Sequence, residues 1–210
     1  MVFSCLLDVL EMIMFTYKLY FIGFYVDLMM NRMTAITQLN MFDKKGRYVF
    51  TLRDLAKIFY EDSAKTLKAG LNRLVKDGIL TRAIRGVYVY ALARSKDAYT
   101  LERVVLALRR GEYNYLSLES ALSAYGAISQ IPMSRITVMT TGRSEEHKTP
   151  YGVIEFTHTK RSPEQILQDT YIGDSPLRQA TMKTALRDLR RVGRNLHLVD
   201  TTELQDESEG

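Results

Sequence analysis

The sequence is poor in the residue types that hold metal ions or cross-link a chain. Its 210 residues include a single cysteine, Cys5, so no disulfide can form within the chain and no cysteine-rich zinc site can be built. The three histidines, His147, His158 and His197, show no spacing that puts two of them on one helical face. We therefore expect no bound metal and no cofactor, and the cysteine content fits a reducing cytoplasm.

Motifs that carry catalysis are missing as well. The chain has no glycine-rich phosphate loop followed by Lys-Ser/Thr, no paired-carboxylate motif on a strand, and no Cys–His or Gly-x-Ser-x-Gly arrangement. The stretch TTGRS at Thr140–Ser144 superficially resembles an anion-binding turn, and we interpret it as a plain turn from a strand into a loop. We therefore predict no catalytic residues and no enzyme activity.

An apolar run long enough to cross a membrane is also absent. Residues 1–32 are apolar and aromatic, but four charged residues interrupt them: Asp8, Glu11, Lys18 and Asp27. The uncharged runs stay well below the roughly 20 residues that span a bilayer, and no signal-peptide pattern is present. The segment could be an amphipathic helix packed on the body or a partner, or a weakly membrane-associated segment. We favour a start codon assigned too far upstream, with Met33 or Met30 as the true start, and expect no stable membrane insertion.

Positive charge is concentrated in one stretch of the chain. Between Lys44 and Arg85, eleven Lys or Arg residues stand against four acids, within a chain whose formal net charge is +5. Such a block suits a surface that binds a polyanion, because each phosphate contact releases counterions. An ordinary solvated basic face would have the same composition. The tail at 201–210 is acidic, and we expect it to be disordered.

The elements predicted between residues 33 and 95 follow the order of a winged helix-turn-helix domain. Apolar spacing and turn signals predict, in chain order, a helix at 34–42, a strand at 48–50, helices at 52–59 and 64–77, and strands at 79–84 and 87–91. The second and third helices form the helix-turn-helix unit. The two strands form a hairpin around Arg85 and Gly86, and this hairpin is the wing.

Capping residues mark the ends of the two helices in the helix-turn-helix unit. Thr51 caps the first helix, with Asp54 at the third helical position of a capping box, and Ser63 caps the second. Gly78 ends the second helix as a C-cap residue. The apolar residues of this second helix fall on one face, which leaves a polar and basic face opposite.

That polar face and the wing carry the predicted DNA contacts. A helix that enters the major groove must present hydrogen-bonding and basic side chains while a core holds its other face. The predicted DNA-binding residues are Ser63, Lys65, Thr66, Lys68, Asn72, Arg73, Lys76, Arg82 and Arg85. The first helical turn should lie deepest in the groove, Asn72 could read an adenine edge, and Arg73 and Lys76 should touch phosphate.

Two further predictions concern the surroundings of this helix. The wing arginines should reach the neighbouring minor groove or the backbone, and Tyr48 is another candidate for a backbone contact. The partner would be double-stranded operator DNA. The alternative is a winged helix used for protein contacts, with lysines that are merely solvated.

A second domain is predicted at residues 96–200. The pattern indicates helices at 100–110, 116–125 and 177–192, strands at 131–141, 151–159 and 197–199, and a polar loop at 142–150. The fold class is thus α+β, with the winged helix-turn-helix domain followed by a smaller mixed α/β domain. The last long helix and the residues after it offer a set of arginines that form either a second nucleic-acid surface or a solvated face: Arg187, Arg190, Arg191 and Arg194.

Over about residues 34–200 the chain resembles the AbiEi-type antitoxins of type IV toxin–antitoxin systems. The resemblance rests on the winged-helix segment TLRDLAKIFYEDSAKTLKAGLNRLVKDGILTRAIRGVYVY and on three later stretches, ITVMTTGRS, TPYGVIEFTHTK and LRQATMKTALRDL. Residues 1–32 have no counterpart in the family pattern. The stretch ATMKTALRDL also has Met-Lys-Thr where the family tends to show a Pro-Glu-Lys type of start.

The resemblance implies a role in abortive infection, a form of phage defence. The N-terminal domain would bind inverted repeats upstream of its own operon and repress it. The C-terminal domain would counteract a nucleotidyltransferase-like toxin without forming a stable complex with it. Two other functions stay open: an ordinary winged-helix regulator whose C-terminal domain dimerises or senses a ligand, and an enzyme of nucleotidyl or phosphoryl transfer, against which the missing acidic motif argues.

Overall fold

The computed structural model describes residues 31–128 and 134–199. The predictions made for residues 1–30 and for the acidic tail lie outside these residues. The first part of the described chain contains α1 (Arg32–Asp43), β1 (Val49–Thr51), α2 (Leu52–Ile58), α3 (Ala64–Lys76), β2 (Leu80–Ile84) and β3 (Val87–Tyr90). The second part contains α4 (Thr100–Leu108), β4 (Asn114–Leu116), α5 (Leu118–Ala124), β5 (Arg135–Thr140), β6 (Glu145–Thr149), β7 (Gly152–His158), α6 (Pro163–Asp169), β8 (Thr170–Ile172), β9 (Arg178–Ala180), α7 (Met182–Val192) and a 3₁₀ turn (Leu196–Leu198).

The first part is a three-helix unit closed by a three-stranded antiparallel sheet with strand order β1-β3-β2. Both predicted caps form. The Thr51 hydroxyl accepts from the Asp54 amide while the Asp54 carboxylate accepts from the Thr51 amide, and the Ser63 hydroxyl accepts from the amide of Thr66. Since helix, strand, helix, turn, helix and hairpin follow one another as predicted, this unit is a winged helix-turn-helix.

Not every apolar residue of α1 and α2 is buried. In α2, Leu55 is fully buried and Leu52 is 45% exposed, and in α1 Met41 is 55% exposed while Leu39 is fully buried. The helices are short, so each buries fewer of its apolar residues than the spacing of three and four residues predicts.

The second part is the larger of the two rather than the smaller, and it is built on one mixed six-stranded sheet with strand order β6-β7-β5-β4-β9-β8. β5 runs parallel to β7, and β4 runs parallel to β9, while the other neighbouring pairs are antiparallel. This mixed topology agrees with the predicted α+β class.

The two faces of the large sheet pack against different layers. Successive residues of a strand point to opposite faces, and Tyr115 and Leu116 of β4 accordingly belong to different hydrophobic clusters, as do Val138 and Met139 of β5. Leu116 and Val138 share their cluster with α4 and with the core of the winged helix. Tyr115 and Met139 share theirs with α5, α6 and α7. The large sheet therefore separates the winged helix and α4 from α5, α6 and α7.

Several elements of the second part differ from the sequence prediction, and β4, α6 and β8 were not predicted at all. The polar loop predicted at 142–150 contains the edge strand β6, the helix predicted at 177–192 is split into β9 and α7, and the strand predicted at 197–199 is a 3₁₀ turn. In the split helix, Thr181 caps α7 through the amide of Thr184, and the residues before it extend to pair with β4 and β8. A cap within an otherwise amphipathic run therefore marks the true start of the helix.

None of the helices within residues 31–128 and 134–199 has the length and the apolar character that a bilayer span needs. Within the same residues, no group of three or more His, Cys, Asp or Glu side chains could hold a metal ion.

Candidate nucleic-acid interface

Helix α3 presents one face to the core and the other to solvent. Leu67, Leu71 and Leu74 are buried, and Gly70 is buried between them. The exposed face carries most of the predicted DNA-binding residues of this helix: Lys65, Lys68, Asn72, Arg73 and Lys76. The cap Ser63 is exposed and Thr66 is half-buried. The structure thus brings the predicted helix residues together on one outward face.

The cations on this face are not neutralised within the part of the chain that the structure describes. Lys65, Lys68, Arg73 and Lys76 form no ion pair with any acid in those residues. Arg73 and Lys76 lie in the last helical turn, where positive charge also favours the helix C-terminus. Lys65 and Lys68 lie in the first half of the helix, where that effect gives no stabilisation.

The wing is a tight hairpin joined to the helix-turn-helix unit. Gly86 turns the chain with a φ of +83°, a conformation that side chains disfavour, and its carbonyl accepts from the Leu52 amide at 2.7 Å. Arg85 lies exposed next to it at the tip. The tip is therefore held against the first turn of α2, and Arg85 forms no ion pair with any acid that the structure describes.

Arg82 lies on β2 rather than at the tip, and its side chain reaches back to α3. Its guanidinium donates to Asn72 Oδ1 at 3.1 Å and to the Tyr88 hydroxyl at 3.3 Å, and it lies over the Tyr88 ring. The structure therefore joins two predicted DNA-binding residues, Arg82 and Asn72, in one hydrogen-bonded pair. An adenine contact from Asn72 would share its amide oxygen with Arg82 or break that bond.

The prediction that Tyr48 contacts the DNA backbone is wrong. Tyr48 is fully buried, and its hydroxyl donates to Asp97 Oδ1 at 2.7 Å. Arg103 of α4 lies over the ring of the same tyrosine and donates to Asp97 at 2.6 Å. Tyr48 thus joins the winged helix to the start of the second part, and sequence order gives no sign of a partner 49 residues away.

The predicted second basic surface is divided by the structure. Arg187, Arg190 and Arg191 lie exposed on α7, with Arg187 paired to Asp169 and Arg191 donating to the His158 carbonyl. Arg194 follows the helix and pairs with two acids, Glu119 and Glu155. Because α7 lies on the other side of the large sheet from the winged helix, this surface and α3 belong to different layers of the molecule.

A set of ion pairs that no sequence motif predicts holds the helix-turn-helix unit in place. Asp54 of α2 accepts from both terminal nitrogens of Arg110 at 3.0 and 2.9 Å and pairs with Arg47 at 2.9 Å. Burial alone would raise the pKa of Asp54, but the hydrogen bonds from Arg110 and Thr51 outweigh it and hold that pKa well below its usual range. Arg110 follows α4, so the second part of the chain positions the first helix of the helix-turn-helix unit.

Comparison with known proteins gives a family match over the winged helix. Residues 38–91 match the family model described as a transcriptional regulator, AbiEi antitoxin. No curated protein matches the chain. Among solved structures, the chain is similar to the RV2827C protein from Mycobacterium tuberculosis, with 16% sequence identity and a TM-score of 0.46. The match covers 64% of this chain and 47% of that one, so it spans about half the length of the solved protein.

The family match begins within α1 and ends just after β3, and it therefore includes α3, the wing and the caps of both helices. The predicted AbiEi resemblance is confirmed over these residues. Over these residues the chain is similar to the transcriptional regulators of the AbiEi antitoxin family.

Proposed function

We propose that the chain is a DNA-binding transcriptional repressor that acts as the antitoxin of a type IV toxin–antitoxin operon in the cytoplasm. Its winged helix binds operator repeats upstream of its own gene, with α3 in the major groove and Arg85 at the neighbouring backbone or minor groove. Its second part counteracts a nucleotidyltransferase-like toxin. The family match over residues 38–91 supports the regulator role.

The unpaired cations on α3 are the observation that carries the DNA-binding proposal. A buried leucine face holds the helix on the core, and the opposite face offers Lys65, Lys68 and Arg73 with no acid to neutralise them within the described residues. A solvated basic face more often mixes both signs of charge, which is how exposed helices gain from pairs four residues apart. A helix with one sign of charge on its outer face is what a groove lined by phosphates binds best.

A mobility-shift assay on the DNA upstream of the gene tests this proposal. We expect Lys68→Ala with Arg73→Ala to weaken operator binding roughly 30-fold or more, since each lost contact costs about 1–3 kcal/mol. The slope of log affinity against log salt should fall by about 1–2, because up to two phosphate contacts are lost. The control, Lys96→Ala with Arg143→Ala, removes two exposed cations outside α3 and the wing. Equal shifts for both double variants at matched salt would reject the assignment of α3.

The antitoxin role is tested separately from DNA binding. We expect a nucleotidyltransferase-type gene directly downstream of this one. We also expect the full chain carrying Lys68→Ala and Arg73→Ala, in which residues 96–210 are unchanged, to restore growth when it is co-expressed in cells that make that toxin. Purified toxin and antitoxin should elute separately in size-exclusion chromatography, since no stable complex is proposed. A neighbouring toxin gene whose effect the chain leaves unchanged would contradict this role.

An ordinary regulator whose second part dimerises or senses a ligand is the second candidate, and no catalytic role is proposed. A cleft in the second part favours ligand sensing over a purely structural role. If no toxin gene lies beside this one and operator binding changes with a small molecule, the second candidate replaces the antitoxin role while the DNA-binding assignment stands.

A further inference from the structure

A cleft of about 650 Å³ opens between the start of α4, α5 and the β8–β9 hairpin. Leu116 and Ile136, which belong to or pack against the cluster that contains α4, line it together with Ser120 and Ser123 of α5. Its volume falls in the range of small-molecule sites, about 300–1,000 Å³. Two helices and four strands contribute to its lining, and this convergence gives a preformed concave surface in the second part of the chain.

The charge of the cleft is opposite to that of the chain. Glu102 and Asp174 line it, and neither carboxylate forms an ion pair among the described residues. The one cation of the lining is Arg135, and its guanidinium already donates to Glu146 and Glu155 at 2.9 Å each. The cleft is therefore negative within a chain of net charge +5. A nucleic acid or another anion would be repelled from it.

Of the two carboxylates in the lining, Glu102 is half-buried and Asp174 is exposed. Burial raises the pKa of Glu102 above its usual range, and the nearby Asp97 raises it further, while Arg103 acts in the other direction. A carboxylate held partly out of water without a partner costs stability. A cationic group placed beside Glu102 would remove that cost, so the arrangement favours a positively charged ligand.

Two tyrosines and several hydroxyl groups complete the lining. Tyr99 and Tyr171 stand at the wall, and cations bind well over the faces of such rings. Ser123 and Gln179 add hydrogen-bonding groups. We infer that this cleft binds a small organic cation, an amine or guanidine with a short apolar stem, whose charged nitrogen pairs with Glu102 and whose stem lies against the tyrosine rings.

The cleft adjoins the junction with the DNA-binding unit. Arg103, next to Glu102 on α4, pairs with the Asp97 carboxylate that accepts from the buried Tyr48. A ligand on Glu102 therefore binds within one helical turn of the contacts that hold the winged helix.

Isothermal titration of the full chain with agmatine, putrescine and tyramine tests the inference, with 1,4-butanediol as the uncharged counterpart of putrescine. At least one of the three amines should bind and raise the melting temperature, and butanediol should not. Glu102→Gln keeps the shape and removes the charge, so it should weaken binding about tenfold or more. It should also fold at least as well as the wild type at pH 7, because the desolvated charge is gone.

The matched control is Glu164→Gln, which removes one exposed carboxylate on α6, outside the cleft, and should leave affinity unchanged. Ser123→Phe fills the cleft from an exposed position on α5 and should abolish binding even if Glu102→Gln folds poorly. Failure of all three amines to bind, or equal affinity in the wild type, Glu102→Gln and Ser123→Phe, would overturn the proposal. Neither result bears on operator binding by α3, which the mobility-shift assay measures.

Discussion

Asp54 shows how one residue serves both local structure and the contact between the two parts of the chain. Its carboxylate closes the capping box of α2 and also accepts two hydrogen bonds from Arg110. We expect Arg110→Gln to lower the free energy of unfolding by about 1 kcal/mol, because the partner that remains, Arg47, satisfies the carboxylate only in part. Urea denaturation measures this loss. Arg53→Gln, an exposed cation one residue before Asp54, is the control and should change stability by less than about 0.5 kcal/mol.

The same junction makes stability depend on pH. Hydrogen bonds from Arg103 and Tyr48 lower the pKa of Asp97 to about 2, although burial opposes them, and the pKa values of Asp43 and Asp54 are lowered too. A carboxylate with a lowered folded pKa stabilises the fold above its unfolded pKa, about 3.9, and loses this effect as pH falls. We expect Asp97→Asn to be less stable than the wild type at pH 7, with a difference that shrinks between about pH 4 and 2. Thermal unfolding across this range measures it, and a difference that grows on acidification would contradict the assigned ion pair.

The side-chain contacts that the sequence predicts correctly join residues that are near each other in the chain. The pairs Thr51–Asp54 and Ser63–Thr66 are three residues apart, so helix-capping rules predict them, and both form. The partners of Tyr48 and Asp54 in the second part of the chain are 49 and 56 residues distant, and nothing local encodes them. The sequence alone does not show whether Tyr48 is buried or exposed, because an aromatic ring with a hydroxyl suits both the core and the surface.

At the level of elements, α3 depends on the residue that ends it. Gly78 has a φ of +71°, and a side chain there would meet no atom within 4 Å, so only the backbone conformation resists substitution. We expect Gly78→Ala to cost about 1 kcal/mol of stability. Operator affinity of the folded protein should stay within about twofold, since the exposed face of α3 is unchanged. Chemical denaturation measures the loss of stability, and the mobility-shift assay measures the operator affinity. An unchanged denaturation midpoint would contradict the backbone strain at this position.

Elements with a strong apolar period were predicted and those without one were not. The winged helix was recovered in full order because its helices are capped and its strands alternate with clear turns. β6, with the sequence EEHKT, has no apolar side chain to mark it, and it exists because its backbone pairs with the edge of β7. β4, β8 and β9 are three residues each, too short for a period to appear. Such strands depend on tertiary pairing rather than on local propensity.

For the whole molecule, the order of layers decides which surfaces can act together. The winged helix and α4 pack on one face of the large sheet, and α5, α6 and α7 pack on the other. The cations of α3 and the exposed arginines of α7 thus belong to layers separated by a sheet. Each packed layer of helices or strands adds about 10 Å to the distance between these two surfaces. The sequence could place both sets on helices, but it could not show that the sheet lies between them.

This separation predicts that DNA length distinguishes the two basic surfaces. On a duplex of about 15 base pairs, Arg190→Gln with Arg191→Gln should bind as the wild type does, because α3 and the wing alone occupy so short a segment. On a promoter fragment of about 60 base pairs, DNA that bends around the chain can also reach α7, and the double variant should lose up to about 2 in the slope of log affinity against log salt. Lys96→Gln with Arg143→Gln, which removes the same charge elsewhere, should match the wild type on both lengths. Equal behaviour of all three proteins on the long fragment would identify the α7 arginines as a solvated face, since a phosphate contact cannot be lost without a change in salt dependence.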